Sequence, residues 1–258
     1  MQITTAGAVS GFQRPPLCRS YAAVQLGALY ADIRVLGGKS SCSMTWGLGI
    51  ASDGQVEPLG VWPTAPLCLK SARQVADELL ARGTERVGIL INGASAETGT
   101  ATLRAFRGSS ATLPFPPAAQ LLSWFAPPRR REAIASGLKR IRRAESVQHA
   151  HAVLDALEAS TWQGAPKAVK KCRSAIEQWR GVYALSMRAR EVVRRGEDSA
   201  ELLEQRVRRV LARHGPFESA EAAAVFAELW LIDAESLARR RKLAAVRKSE
   251  LAAASAAT

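Results

Sequence analysis

Between Ala22 and Trp62 the chain alternates three runs of β-forming residues with two tight-turn signals, and this pattern limits the fold more than any other feature. The first run, Ala22 to Val35, carries Val24, Leu26, Leu29, Tyr30, Ile33 and Val35, residues that suit a pleated surface. Gly37-Gly38 turns the chain. Ser41 to Ala51 is the second run, and Ser52-Asp53-Gly54 is a strong hairpin signal because Asp and Gly tolerate the backbone of a tight turn. Val56 to Trp62 is the third run, stopped by Pro63. The spacing predicts an antiparallel meander.

A change of period follows. Ser71 to Arg82 places Val75, Leu79 and Leu80 on one side and ends at Gly83, which predicts an amphipathic helix. Arg86 to Ile91 is short and apolar, suited to a central parallel strand, and leads to Asn92-Gly93. Thr98 to Arg107 reads as helix and Ala111 to Phe115 as a fifth strand, closed by Pro116-Pro117. Strands and helices in this order predict an α/β layer fold.

After Pro127-Pro128 the character becomes helical. Arg129 to Gln163, Pro166 to Arg195 and Ser199 to Lys248 are rich in Ala, Leu, Arg and Glu. Within the last stretch, Val207, Val210 and Leu211 give one apolar face, and Arg206, Arg208, Arg209 and Arg213 take much of the rest. Gly215-Pro216 ends that helix, and Ser219 signals the start of the next. An acid at Glu201 fits the first turn of a helix, where the dipole favours negative charge, and Asp198 and Ser199 are plausible caps.

The formal charge is +13, from 36 Lys and Arg against 23 acids, and that balance favours a polyanionic partner. Arg129 to Arg143 holds seven basic residues against Glu132, and Lys167 to Arg195 holds nine against two acids. Each cluster alone is more often a solvated helix face than a nucleic-acid site; three in one helical half point to nucleic acid. Cys18, Cys42, Cys68 and Cys172 form no CxxC pair, and the 3 His complete no zinc spacing, so buried or incidental thiols in a reducing cytosol are expected. No apolar run is long enough for a membrane span, and no signal peptide is evident.

Several blocks in order resemble the Mutator-type bacterial transposases. Arg14-Pro15, Tyr21 and the run ALY at Ala28 to Tyr30 are similar to the entry into that family's first catalytic strand. SDGQVEPLGVW, Ser52 to Trp62, resembles its hairpin, and LLARGTERVGILING, Leu79 to Gly93, the approach to its second catalytic strand. Trp179 is similar to a tryptophan of its helical insertion, and L-x4-R-x6-G-x-F-x3-E-A-A, from Leu203 to Ala223, resembles its C-terminal block.

The resemblance implies an α/β fold with an RNase H-like mixed sheet, a helical insertion and a helical C-terminal part. The expected division is a flexible arm at 1–13, the first part of the core at 14–127, a basic helical insertion at 128–195, a C-terminal helical part completing the core at 196–248 and a disordered tail at 249–258. It further implies a DDE triad holding Mg²⁺. Glu201 falls at the Glu position, but Gly27 and Asn92 stand at the two Asp positions, and GEDSA, Gly196 to Ala200, replaces a Thr-Thr-Asn-type run. Gly27 offers no side chain and Asn92 no charge, so Mg²⁺ binding and catalysis are expected to be impaired. Asp32 should face the opposite side of its strand from Gly27, and Glu97 lies beyond the fourth strand; both read as exposed polar residues.

The family has a helical DNA-recognition region ahead of its core, which implies a truncated copy here. DNA of mobile-element ends is the implied partner. Arg206, Arg208, Arg209, Arg213 and His214 are the leading contact candidates, followed by Arg129, Arg130 and Arg131 and by Lys170 to Arg173. The alternative is a non-catalytic DNA-binding or regulatory protein that associates with an intact transposase or with itself. The alanine-rich face Ala220 to Phe226 would serve either such a partner or the internal core. A bacterial cytoplasmic, nucleoid-associated location follows from the same resemblance, with no membrane partner.

Overall fold

The computed structural model describes residues 14–63, 69–93, 102, 104–106, 110–112, 114–115 and 131–234. The expected arm, tail and most of the Thr98 to Arg107 helix lie outside them, as do Glu97, Arg129 and Arg130. The first half forms β1 (Ser20–Val35), β2 (Gly38–Ile50), β3 (Val56–Pro63), α1 (Leu69–Ala81), β4 (Arg86–Asn92) and β5 (Ser110–Thr112). The helical half forms α2 (Arg131–Arg142), α3 (Val147–Ala159), α4 (Pro166–Gln178), α5 (Arg180–Tyr183) and α6 (Met187–His214), then a helix, α7, described over 220–234.

The sheet order is β3-β2-β1-β4-β5. β1 to β3 form the expected antiparallel meander, and β4 pairs parallel to both β1 and β5. The result is the predicted mixed α/β architecture. One face of the sheet carries Val24, Leu26, Leu90 and Trp62 and packs with Val75 and Leu79 of α1. The opposite face carries Leu29, Met44, Trp46 and Leu48 and packs with Ala200, Leu203 and Val207 of α6 and with α7. Ala223, Ala224 and Ala227 are buried in that cluster, so the alanine-rich face belongs to the internal core. A third cluster joins Ile89 and Ile91 to the helices α2 to α6.

Helix boundaries depart from the sequence reading in four places. Arg129 to Gln163 does not form one helix: Arg143 to Ser146 separates α2 from α3, and Ser146 Oγ caps α3 by accepting from the His149 amide at 3.0 Å. The stretch from Pro166 to Arg195 breaks at Trp179 and again before Ser186. No helix starts near Ser199. The α6 helix starts at Met187, with Ser186 as its cap, and runs unbroken for 28 residues. Gly196 is kept inside it because Ile50 lies where a side chain would go, 2.5 Å from an ideal Cβ.

Asp198 and Ser199 are therefore mid-helix, not caps; Ser199 Oγ donates back to the Arg195 carbonyl at 2.9 Å. Glu201 is likewise in the middle of α6, out of reach of the N-terminal dipole, whose influence fades within a turn. The same helix carries the chain across residues 195 and 196 without interruption. Its predicted end does hold: Gly215 takes φ 85°, and Ser219 Oγ caps α7 through the Ala222 amide at 3.1 Å.

Candidate functional site

Gly27 sits in the middle of β1, directly across from Trp46 of β2. Antiparallel partners share a face, so the indole lies over the glycine. An ideal Cβ on Gly27 would stand 2.4 Å from both Cε2 and Nε1 of Trp46, a contact no side chain can make. Trp46 is 1% exposed, and its Nε1 is buried with no hydrogen-bond partner. The absence of a side chain at 27 and the presence of the indole are thus one packing solution.

Asn92 closes β4 and is buried. It pairs with Leu26, one residue before Gly27, and the Gly93 amide donates to the Leu26 carbonyl at 2.7 Å. β1 runs on past the end of β4. There the Ala28 carbonyl accepts from Arg208 Nη2 of α6 at 2.7 Å, and Phe217 bonds to Asp32 and Arg34 further along. Parallel partners share a face, so Asn92 lies on the Leu26 side of the sheet, which packs with α1, whereas Gly27 lies on the Trp46 side, which packs with α6. Glu201 is two turns ahead of Arg208, and its neighbour Ala200 shares a core cluster with Trp46. Its Oε1 accepts from Gln205 Nε2 at 3.1 Å. Burial lifts the Glu201 carboxyl above its ordinary range; Arg142 pulls it down, and Asp198 and Glu204 push it further up. Asp32 is half-buried, with its side chain 42% exposed and paired with Lys39 at 2.6 Å. Among the described residues, no group of three His, Cys, Asp or Glu is arranged to hold a metal ion.

The most deeply engaged charge in this region was counted in the sequence as part of a basic cluster. Arg142, at the end of α2, turns inward. Its Nη2 donates to Glu197 Oε2 at 2.6 Å and its Nη1 to Asp198 Oδ1 at 2.5 Å. Its guanidinium lies 5.8 Å from the Phe115 ring centre and 5.4 Å from that of Trp179. Glu197 is completed by the Phe115 amide at 2.7 Å. Burial works against the charge on Arg142, but Glu197 and then Asp198 more than offset it, so its pKa rises. Burial dominates at Glu197 and lifts its carboxyl, with Arg142 and the Phe115 amide pulling against it. The only sequence signal for this site was the odd acidic run GEDSA.

The basic residues divide into engaged and outward-facing ones. Arg208 is bound by Glu204 as well as by the Ala28 carbonyl. His214 stacks on Phe217 at 4.2 Å and lies against Phe226. Arg173 is held by Asp155 and Glu158, and buried Arg190 donates to the carbonyls of Ala144 and Glu145. Arg206, Arg209 and Arg213 are exposed at helical spacing on α6 and have no carboxylate within ion-pair distance among the described residues. Arg131 is exposed at the start of α2, and Lys170 is exposed on α4. Cys172 is a buried thiol pushed up to about 12. Among the described residues, no helix is long and apolar enough to cross a membrane.

These features define a mixed α/β core with a group of short helices packed beside a long basic helix. Compared with known protein families, residues 1–236 match the transposases of the Mutator family, and the chain belongs to that family. No curated protein matches it.

Proposed function

We propose that this chain handles mobile-element DNA as an RNase H-like member of its family whose strand-cutting centre is impaired. The observation that carries this reading is the Trp46 indole in the space of a residue-27 side chain. Two-metal strand cutting needs carboxylate oxygens at fixed places around the ions. Of the three family positions, one gives no ligand, one a neutral amide and one a carboxylate. An Asp at 27 could not be added without moving a fully buried tryptophan. The donor set does not fit Mg²⁺, and no step through the metal is drawn for this chain. The strand order β3-β2-β1-β4-β5, with its antiparallel meander and parallel second half, supports the RNase H-like assignment.

DNA binding rests on family membership and on the stripe Arg206, Arg209 and Arg213, with Arg131 and Lys170 as further contacts. Such residues neutralise phosphates and release counterions, so affinity falls with salt. The test is incubation of the purified chain with transposon-end DNA in Mg²⁺ or Mn²⁺, with Glu201→Ala as control. We expect no cleavage, and retention that weakens as salt rises. Replacing the three stripe arginines by Ala should flatten the log–log salt slope by about 3. Cleavage that disappears in the Glu201→Ala control would overturn the reading, because other groups would then complete the centre.

A further inference from the structure

The run GEDSA contributes Glu197 and Asp198 to α6, and Glu201 and Glu204 follow within two turns. Like charges this close repel unless a cation lies among them. Two arginines do. Arg208 holds Glu204 at 2.6 Å, and Arg142 holds Glu197 and Asp198 at 2.6 and 2.5 Å while acting on Glu201 through space. Arg142 comes from α2, 55 residues away from Glu197 in sequence, so its ion pairs also fasten the insertion to α6.

We propose that Arg142 is a resident cation that balances the acids of α6, so that this centre assembles and the chain folds without divalent metal. The inference rests on reading 27, 92 and 201 as the family's metal positions, and it goes beyond loss of cutting: a protein side chain supplies the positive charge. A guanidinium suits the place, since it remains charged, presents several donors to the carboxylates and stacks on the Phe115 and Trp179 rings. Mg²⁺ would have to compete with a cation that is covalently part of the fold and already hydrogen-bonded.

The experiment is thermal unfolding of the full chain in EDTA, in Mg²⁺ and in Na⁺ of matched ionic strength. Wild-type Tm should be the same in all three. A saturable rise of several degrees with Mg²⁺ beyond the Na⁺ control would overturn the proposal. Arg142→Met should lower Tm by roughly 5–10 °C, by leaving buried Glu197 without its cation. Adding Glu197→Met should recover at least half of that loss. No recovery would mean that Arg142 acts through ring stacking alone, which also overturns the proposal. If Arg142→Met does not fold, the double variant decides: folded supports charge balance and unfolded refutes it. DNA retention is read in parallel. Its loss alongside a metal-indifferent Tm would sink the DNA-binding reading and leave this one standing.

Discussion

Arg14 and Arg142 each gather a buried carboxylate and a more exposed one, yet they leave their surroundings in different states. Arg14 belongs to the Arg-Pro pair that opens the family-like sequence. Its Nε and Nη2 both bond Glu228, its Nη1 bonds Glu78 at 2.5 Å, and Nη2 also reaches the Val61 carbonyl at 2.6 Å. Glu228 in turn accepts from the Val61 amide at 2.9 Å, and Glu78 accepts from Trp62 Nε1 at 2.6 Å. Every nitrogen of Arg14 is used, and the open edge of β3 gains partners for both polar groups of Val61. Arg142 instead pairs with Glu197 and Asp198 of GEDSA, where the sequence departs from the family pattern. Its Nε is buried without a partner, as is Nε1 of the Trp179 beside it. The first network is a completed set of hydrogen bonds that ties residue 14 to α1, β3 and α7. The second is charge pairing inside an aromatic pocket. Satisfied groups and paired charges both appear as salt bridges, but they should fail differently.

The largest difference should come from Arg14→Met. It strands a carboxylate that is 3% exposed and removes a bond to the sheet edge, and the expected loss is about 4 kcal/mol in urea unfolding. Arg142→Met should cost somewhat less, about 3 kcal/mol, because each carboxylate keeps one backbone amide but only Arg14 also bonds a carbonyl of the sheet edge. Equal losses would mean that the hydrogen bonds around Arg14 add nothing beyond its charge.

Removing both partners sharpens the contrast. Arg142→Met with Glu197→Met leaves the buried Phe115 amide unpaired, returns exposed Asp198 to solvent and keeps an apolar side chain against the rings. It should unfold within about 1.5 kcal/mol of the parent. Arg14→Met with Glu228→Met leaves both the amide and the carbonyl of Val61 without these partners at the sheet edge. Its deficit should remain at about 3 kcal/mol, since each buried orphan costs on the order of 1–3 kcal/mol. A double variant at 14 and 228 that recovers as fully as the one at 142 and 197 would erase the distinction.

How much of this was legible follows from the range over which each feature is written. The meander, α1 and β4 were readable because period-two runs and turn residues are local. Ser219 and Gly215 marked their helix ends for the same reason. The helix read as ending at Arg195 instead continues through Gly196, where Ile50 occupies the space of a side chain. The gap at Arg143 to Ser146 was hidden by helix-favouring residues on both sides of a single serine cap. The Gly27–Trp46 pair was within reach: counting back from the Gly37-Gly38 turn, the observed pairing of Val35 with Gly38 sets 27 opposite 46. What the count could not say is that the indole would lean over the glycine. Arg142 and Glu197 were beyond reach, since an ion pair across 55 residues leaves no local pattern.

The smallest effect concerns Glu201, which among the described residues has no ion-pair partner, unlike the acids held by Arg14 and Arg142. Burial raises its carboxyl above the ordinary 4.5. Below that value, folded and unfolded chains both carry the proton, and the fold has its full advantage. As pH rises past it, the unfolded chain releases the proton first, and stability falls until the raised folded pKa is passed. Glu201→Gln has no proton to lose. It should match the parent at pH 4 and exceed it at pH 8, by only a few tenths of a kcal/mol because the side chain is partly solvated. Glu197 shifts in the same direction and remains in both proteins, so the difference between the two urea curves isolates position 201. Parallel pH profiles would show that Glu201 is solvated like any surface acid, and that the acids of α6 press on one another less than their spacing implies.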